Sequence, residues 1–378
     1  MFMNKIPLIT TLSLALSPFI IGALMFSVQK QDVLYQTHEE KVYVAIEAEG
    51  RIGVIDTQKR KLIRSIDLSE VQNNIFVKYT THNVQVAPNG KVVLVTANVD
   101  RGVMGEKASA EEDVSDGLSD KIFFIDPLTD TISDSFPIAV DAHLAHVVVN
   151  NTGTLAYAVS QEKDTLYVID VTDKKILKTV SFEEGSEPHG LRLSPDNTKL
   201  FVALIGGKAI AEVDIANDSI RSYPVSGAVI QTAVTPDSGY VFGSVYEAKK
   251  VAWINTRTGE RGYIDLPNDA QGSVQLYPTP DSKYLYVVNQ GYYFDQPTGH
   301  TVYRIDVDLK KVDRTIPVGD APHGIVVDTS GQVAYVTNLL SNDVSLIDTE
   351  TNTEVARLKV GEMPNGISLW NQTMGGTP

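Results

Sequence analysis

Histidine is the side chain through which this sequence could do metal or cofactor chemistry, and the chain has seven of them and no cysteine. Three stand in one phase at the start of a strand-like run: His82 in Thr81-His-Asn-Val84, His189 in Glu187-Pro-His-Gly190, and His323 in Ala321-Pro-His-Gly324. Asn365 holds the same place near the C-terminus, and Ala145, Ile230 and Val274 fill it in three other segments, with His143 and His146 flanking Ala145. Neutral imidazole suits copper, zinc, iron or nickel, so His82, His189 and His323 are expected as metal ligands. A haem-type cofactor with one histidine as axial ligand is the other use of such a set. His143, His146, His300, Asn365, Tyr292 and Tyr293 are then its expected neighbours. The plainer reading is that each histidine hydrogen-bonds an adjacent strand. With no cysteine there is no disulfide, thiol nucleophile, copper thiolate or covalently attached haem. A net charge of −15 argues against nucleic acid as partner, because phosphate affinity comes from lysine and arginine.

The elements that must position these residues repeat along the chain. Short β-branched and aromatic runs closing on Asp or Asn recur: Ile52–Asp56, Ile122–Asp126, Leu166–Asp170, Ile210–Asp214, Val251–Asn255, Val302–Asp306 and Val344–Asp348. Their last residues are separated by 70, 44, 44, 41, 51 and 42 positions. Each closing residue opens a polar turn, which suits an Asx-turn. One strand precedes each run, a further alternating strand and tight turn precede that, and a fourth strand follows. Four strands per unit of about 40 to 45 residues is the mark of a β-propeller blade. The expected fold is therefore an all-β, seven-bladed propeller over residues 41–370. The segment Met363–Trp370 reads as an innermost strand with no blade after it, so it should complete the first blade and close the ring.

Strand order then assigns the loops to faces. Starts of innermost strands, blade-to-blade connections and second-to-third-strand loops share one mouth of the central channel. Every histidine except His38 maps there, as do the long intervals 98–120 and 290–300 and the acids Asp141, Glu187, Asp320 and Glu362. The loop of Tyr292, Tyr293 and Phe294 reads as a packed loop or as a lid over an aromatic ligand. Propellers carry function in variable loops on one face of a rigid ring.

Ahead of the repeats, residues 6–26 carry no charge, long enough as a helix to span a bilayer core. Residues 1–30 are expected as a signal-anchor or signal peptide, 31–40 as a spacer and 371–378 as a tail. The propeller is then expected in the periplasm or outside the cell, held to the membrane by the N-terminal hydrophobic helix.

Ala334-Tyr-Val-Thr-Asn338, Asn342–Asp348 and Val360-Gly-Glu-Met-Pro-Asn-Gly366 resemble the YVTN-repeat β-propellers. That family is similar in fold to the heavy chain of amine dehydrogenases and the haem domain of dissimilatory nitrite reductase. The resemblance implies the fold and a docking role toward redox partners, and leaves function open. The leading expectation is a transition metal (copper, iron or zinc), a metal-bearing cofactor or a redox partner bound at the histidine-rich mouth. A cofactor-free cell-surface interaction scaffold and an enzyme, either an oxidoreductase or a lactonase-like hydrolase, are the alternatives.

Overall fold

The computed structural model describes residues 39–72, 74–102 and 117–373. The expected anchor, most of the spacer, residues 103–116 of the long interval 98–120 and the tail from 374 lie outside the described residues. Among the described residues, no helix is long and apolar enough to cross a membrane.

Seven four-stranded antiparallel sheets form the propeller, and in six of them the strands follow chain order from the axis outward. The first blade is the exception. Its three outer strands, Glu40–Ile46, Arg51–Asp56 and Lys61–Asp67, take Pro364–Asn371 as their innermost strand. The closing register runs from Glu40 opposite Asn371 to Ile46 opposite Pro364. Closure leaves no exposed innermost edge, which is what a ring of blades gains over an open array. It is reinforced toward blade two, where Trp370 Nε1 donates to the Gly90 carbonyl at 2.8 Å. Lys41, whose ammonium lies 5.1 Å from the Trp370 ring centre, pairs with Asp130 at 3.0 Å, both side chains buried.

Period-two apolar patterning puts the core between blades. One cluster unites Tyr43, Ile52 and Val54 of blade one with Val84, Val95 and Ile125 of blade two, and others join each pair of neighbours around the ring. The Asp or Asn that ends each third strand caps the turn after it. In all seven blades its Oδ1 accepts a backbone N–H two or three residues on, at 2.7 to 3.0 Å. The long connection before blade two carries a hairpin, Glu70–Gln72 with Ile75–Val77, that exposes Val71, Ile75 and Phe76. The long loop of blade six contains a single 3-10 turn, Tyr292–Phe294.

One irregularity recurs in every innermost strand and builds the channel. Where Leu144 pairs with Ser160 and Val147 with Ala158, two residues, Ala145 and His146, face one. The same shift brackets His189-Gly190, Ile230-Gln231, Val274-Gln275, His323-Gly324 and Asn365-Gly366, and in blade two it isolates His82. A bulge of this kind breaks the in–out alternation and re-aims side chains. The backbone arrives through a left-handed residue two positions before the bulge in four blades: His143 (φ 46°), Glu187 (φ 50°), Ala321 (φ 50°) and Met363 (φ 54°). Where the second strand carries a hydroxyl opposite the bulge, that hydroxyl satisfies it. Thr337, in Tyr-Val-Thr-Asn338, accepts from the Gly324 N–H and donates to the Asn365 carbonyl, both at 2.7 Å. Thr96 and Ser244 make the corresponding bonds in their blades.

Candidate metal centre

The bulges of blades two, three and four converge three imidazoles. His82, His146 and His189 each offer a ring nitrogen, all within 4.8 Å of one another. His82 Nε2 and His189 Nε2 are 3.2 Å apart. For nitrogen ligands at 2.0–2.1 Å from a tetrahedral ion, neighbouring donors stand about 3.3 Å apart, so this pair already has the separation of two ligands. His189 Nδ1 donates to the Ile230 carbonyl at 2.9 Å, which leaves the Nε2 lone pair of the neutral ring facing His82. Metal-binding histidines are commonly oriented by such a bond on their other nitrogen.

His146 is 1% exposed and lies between two glutamines. The Thr232 N–H donates to Gln231 Oε1 at 2.8 Å, fixing that amide's orientation. Gln231 Nε2 then donates to Gln275 Oε1 at 3.0 Å, and both glutamine NH₂ groups face His146, at 3.4 Å from Nδ1 and 3.3 Å from Nε2. A neutral imidazole has one lone pair, so one of these two contacts sets an N–H against an NH₂. Room for this arrangement comes from Gly190, where a Cβ would meet Gln231 Oε1 at 2.2 Å and Gln231 Cα at 2.7 Å.

All of these rings are neutral near pH 7. Burial is the first cause, followed by mutual repulsion. It puts His82 and His146 well below the usual histidine range. Burial lowers His189 to about 4 against the opposing bond to Ile230, and lowers His323 to about 3. A neutral ring is the form that ligates a metal.

His323 is brought into the channel but not into the triad. Its ring centre lies 6.5 Å from that of His82 and 5.7 Å from that of Tyr293. Its Nδ1 is 2.6 Å from Gln290 Nε2, while its Nε2 is buried without a partner. Of the expected set His82, His189 and His323, the structure brings His82 and His189 together with His146 and leaves His323 outside the cluster. The bulge turns both of its residues toward the axis, so the residue after the expected position counts as well. Asn365 instead donates to Glu47 Oε2 at 2.6 Å, and Tyr293 Oη donates to the same oxygen at 2.9 Å. Burial raises the Glu47 carboxyl above its usual range, against these two bonds, and raises the Tyr293 phenol. His143 is exposed at the rim, its ring centre 6.4 Å from that of His82. Tyr292 is 42% exposed and tilts against Tyr293 at 5.5 Å. His300 is not brought to the cluster. It is exposed and does not line the cavity over the triad, standing directly before the third strand of its blade while Tyr293 of the same loop reaches the cavity. His38 lies outside the described residues.

That cavity measures about 520 Å³ and is bounded by Glu47, Asp100, Glu187, Arg101, His143 and Tyr293 among others. Of the acids expected at the mouth, Glu187 lines the cavity and Asp141 pairs with Arg101 at 3.1 Å. Asp320 and Glu362 do not reach it. Sequence reasoning missed Gln231, Gln275, Gln290 and Glu47. The one signal for the first two was their place directly after Ile230 and Val274.

No protein-family model matches the chain, so the YVTN resemblance rests on the motif residues alone. A 6-phosphogluconolactonase from Formosa agariphila is 24% identical over 257 residues, spanning 59% of this chain and 72% of that protein. Among solved structures, Kuenenia stuttgartiensis hydrazine synthase aligns with a TM-score of 0.61 at 18% identity, covering 76% of this chain and 88% of its own. At that identity the likeness shows the fold alone.

Proposed function

We propose that this protein binds one transition-metal ion of the imidazole-preferring class, copper or zinc, through His82, His146 and His189. The observation that carries this reading is the convergence of three neutral imidazoles from three successive blades, one pair already at ligand spacing. An all-nitrogen set favours copper over zinc in intrinsic affinity. Three protein ligands leave a fourth position open to the cavity, the pattern of a site that receives an exogenous ligand. The uncharged run at residues 6–26 supports an exported setting for it. Calorimetric titration of chelator-treated protein with Zn²⁺ or Cu²⁺ tests the assignment. One ion should bind per chain, and His189→Ala should weaken binding by more than about 100-fold, beyond the loss of a mere orienting partner. His300→Ala should leave it unchanged. Equal affinity in His189→Ala would refute the site.

A second reading, hydrolysis of a lactone, is favoured by the 6-phosphogluconolactonase relative and by Glu47, a buried carboxyl with raised proton affinity on the cavity wall. A bound metal ion would polarise the ester carbonyl and lower the pKa of a water to about 7, and Glu47 would carry the proton. Turnover of 6-phosphogluconolactone that His82→Ala and Glu47→Gln both abolish would establish it. Metal binding without such turnover leaves the first reading alone.

A further inference from the structure

The bulges govern a second layer of the channel. Three residues beyond each first bulge position, the side chains again face the axis, now toward the mouth formed by the Pro–Asp turns. In six blades this place holds Gln85, Val148, Ala233, Tyr277, Val326 and Ser368; in blade four it holds Arg192. All seven line a cavity of about 580 Å³ on the opposite side of the ring from the histidine-rich mouth. Val149, Leu193, Val327, Ile367 and Leu369 make much of the rest of its wall apolar, and turn prolines stand among the polar residues Asn151, Ser194, Asp328 and Thr329. A volume of this size is that of a small-molecule site.

Arg192 is the only basic residue of that lining, and no carboxylate pairs with it among the described residues. Its guanidinium makes one hydrogen bond, Nη1 to the Leu191 carbonyl at 2.9 Å, and forms no ion pair among the described residues. The chain has 47 acidic side chains to draw on, and other enclosed cations do find partners: Lys41 has Asp130 and Arg304 has Asp313. The only carboxylate in the lining, Asp328, is engaged by Ser330 Oγ at 3.0 Å and the Gln332 N–H at 2.8 Å. Burial works against the Arg192 charge and also raises the Tyr277 phenol. The Tyr277 hydroxyl has no hydrogen-bond partner among the described residues. A guanidinium offers five N–H donors in a fork that matches an oxyanion, and a partly buried charge without a counter-charge is unfavourable unless water or a ligand supplies one.

We infer that this mouth is an anion site: it binds a small molecule with one oxyanion, a carboxylate or phosphate, on an apolar body, the oxyanion on Arg192 and Tyr277 and the body against the valine-lined wall. Arg192 sets the charge of the ligand, and the absence of a second cation in the lining restricts it to a single oxyanion. The site does not depend on metal at the other mouth.

Octanoate and 1-octanol, which share a chain length and differ in charge, are the probes, titrated calorimetrically into the full chain. Wild-type protein should bind octanoate about 10- to 100-fold more tightly than octanol, the value of a charge-assisted bond. Arg192→Gln should bring octanoate down to the level of octanol, and Arg192→Lys should restore part of the difference. His82→Ala should leave octanoate affinity unchanged. If wild-type protein shows no preference for octanoate, or Arg192→Gln keeps it, the guanidinium is merely extended into a water-filled channel and the proposal falls. The wild-type comparison stands even if a variant fails to fold.

Discussion

Replacing Gly190 with alanine probes the contact on which the channel depends. The added Cβ would stand 2.2 Å from Gln231 Oε1 and 2.7 Å from Gln231 Cα. The first contact can be relieved by moving the amide, but the second is backbone, so blades four and five must separate or Gly190 must shift. Overpacking of this kind costs about 1–3 kcal/mol, and here the upper part of that range applies because a main-chain atom is involved. Moving the amide also breaks its bond from Thr232 and releases the NH₂ groups around His146. At about 2.1 cal/mol/K per residue, a propeller of this size has an unfolding entropy of about 0.7 kcal/mol/K, so 2–3 kcal/mol lowers Tm by about 3–4 °C. Differential scanning calorimetry of metal-free Gly190→Ala against wild type reads this directly. Gly185→Ala is the contrast. At φ 77° with nothing within 4 Å of a Cβ, it should lose only the cost of a left-handed alanine, about 1–2 kcal/mol. An unchanged melting temperature in Gly190→Ala would refute the close approach of these innermost strands, and with it the fixed orientation of Gln231.

Lys41→Met should destabilise the fold by about 3–5 kcal/mol in urea unfolding, because it leaves the Asp130 carboxylate buried without its cation. Adding Asp130→Asn should recover much of that loss. Burial first, then the charge of Asp328, raises Glu40 to about 7. A folded-state pKa above the unfolded one favours folding at low pH, and that advantage is lost between about pH 4.5 and 7. Glu40→Gln should therefore be more stable than wild type at pH 8, by about 1–3 kcal/mol, and equal to it at pH 4. The channel histidines act in the opposite sense. His189 and His323 titrate near 4 and 3 in the folded protein, so their contribution is complete above about pH 6.5. It drains as pH falls toward those values, by about 1.4 kcal/mol per unit for each ring. His189→Gln should flatten the acid limb of a metal-free stability profile.

The fold was readable because its signals are local and repeated. Each third strand ends on a residue whose side chain caps the following turn, and that needs only a few neighbouring positions. Closure was readable because Met363–Trp370 is a strand with no blade of its own. The candidate site was half readable. His82 and His189 share a phase that sequence shows, but strict alternation sends His146 to the opposite face of its strand from Ala145. Only the bulge, an extra residue opposite Val159, turns both toward the axis. Gln231 and Gln275 have no compositional signature, and the contact that makes them matter crosses from one blade to another. His300 lies away from the cavity because loop membership fixes the face of the ring but not the distance from its axis. Arg192 went unremarked for a similar reason, since an arginine in a strand is ordinary until the carboxylates around it are placed.

Metal content tests the central claim most directly. Chelator-treated wild-type protein and the His82→Ala/His189→Ala double variant are dialysed to equilibrium against micromolar Zn²⁺ or Cu²⁺ and analysed by inductively coupled plasma mass spectrometry. The three-histidine centre predicts one ion per wild-type chain and none above background in the variant. Metal-free wild-type protein, or equal loading of a folded variant, would contradict it.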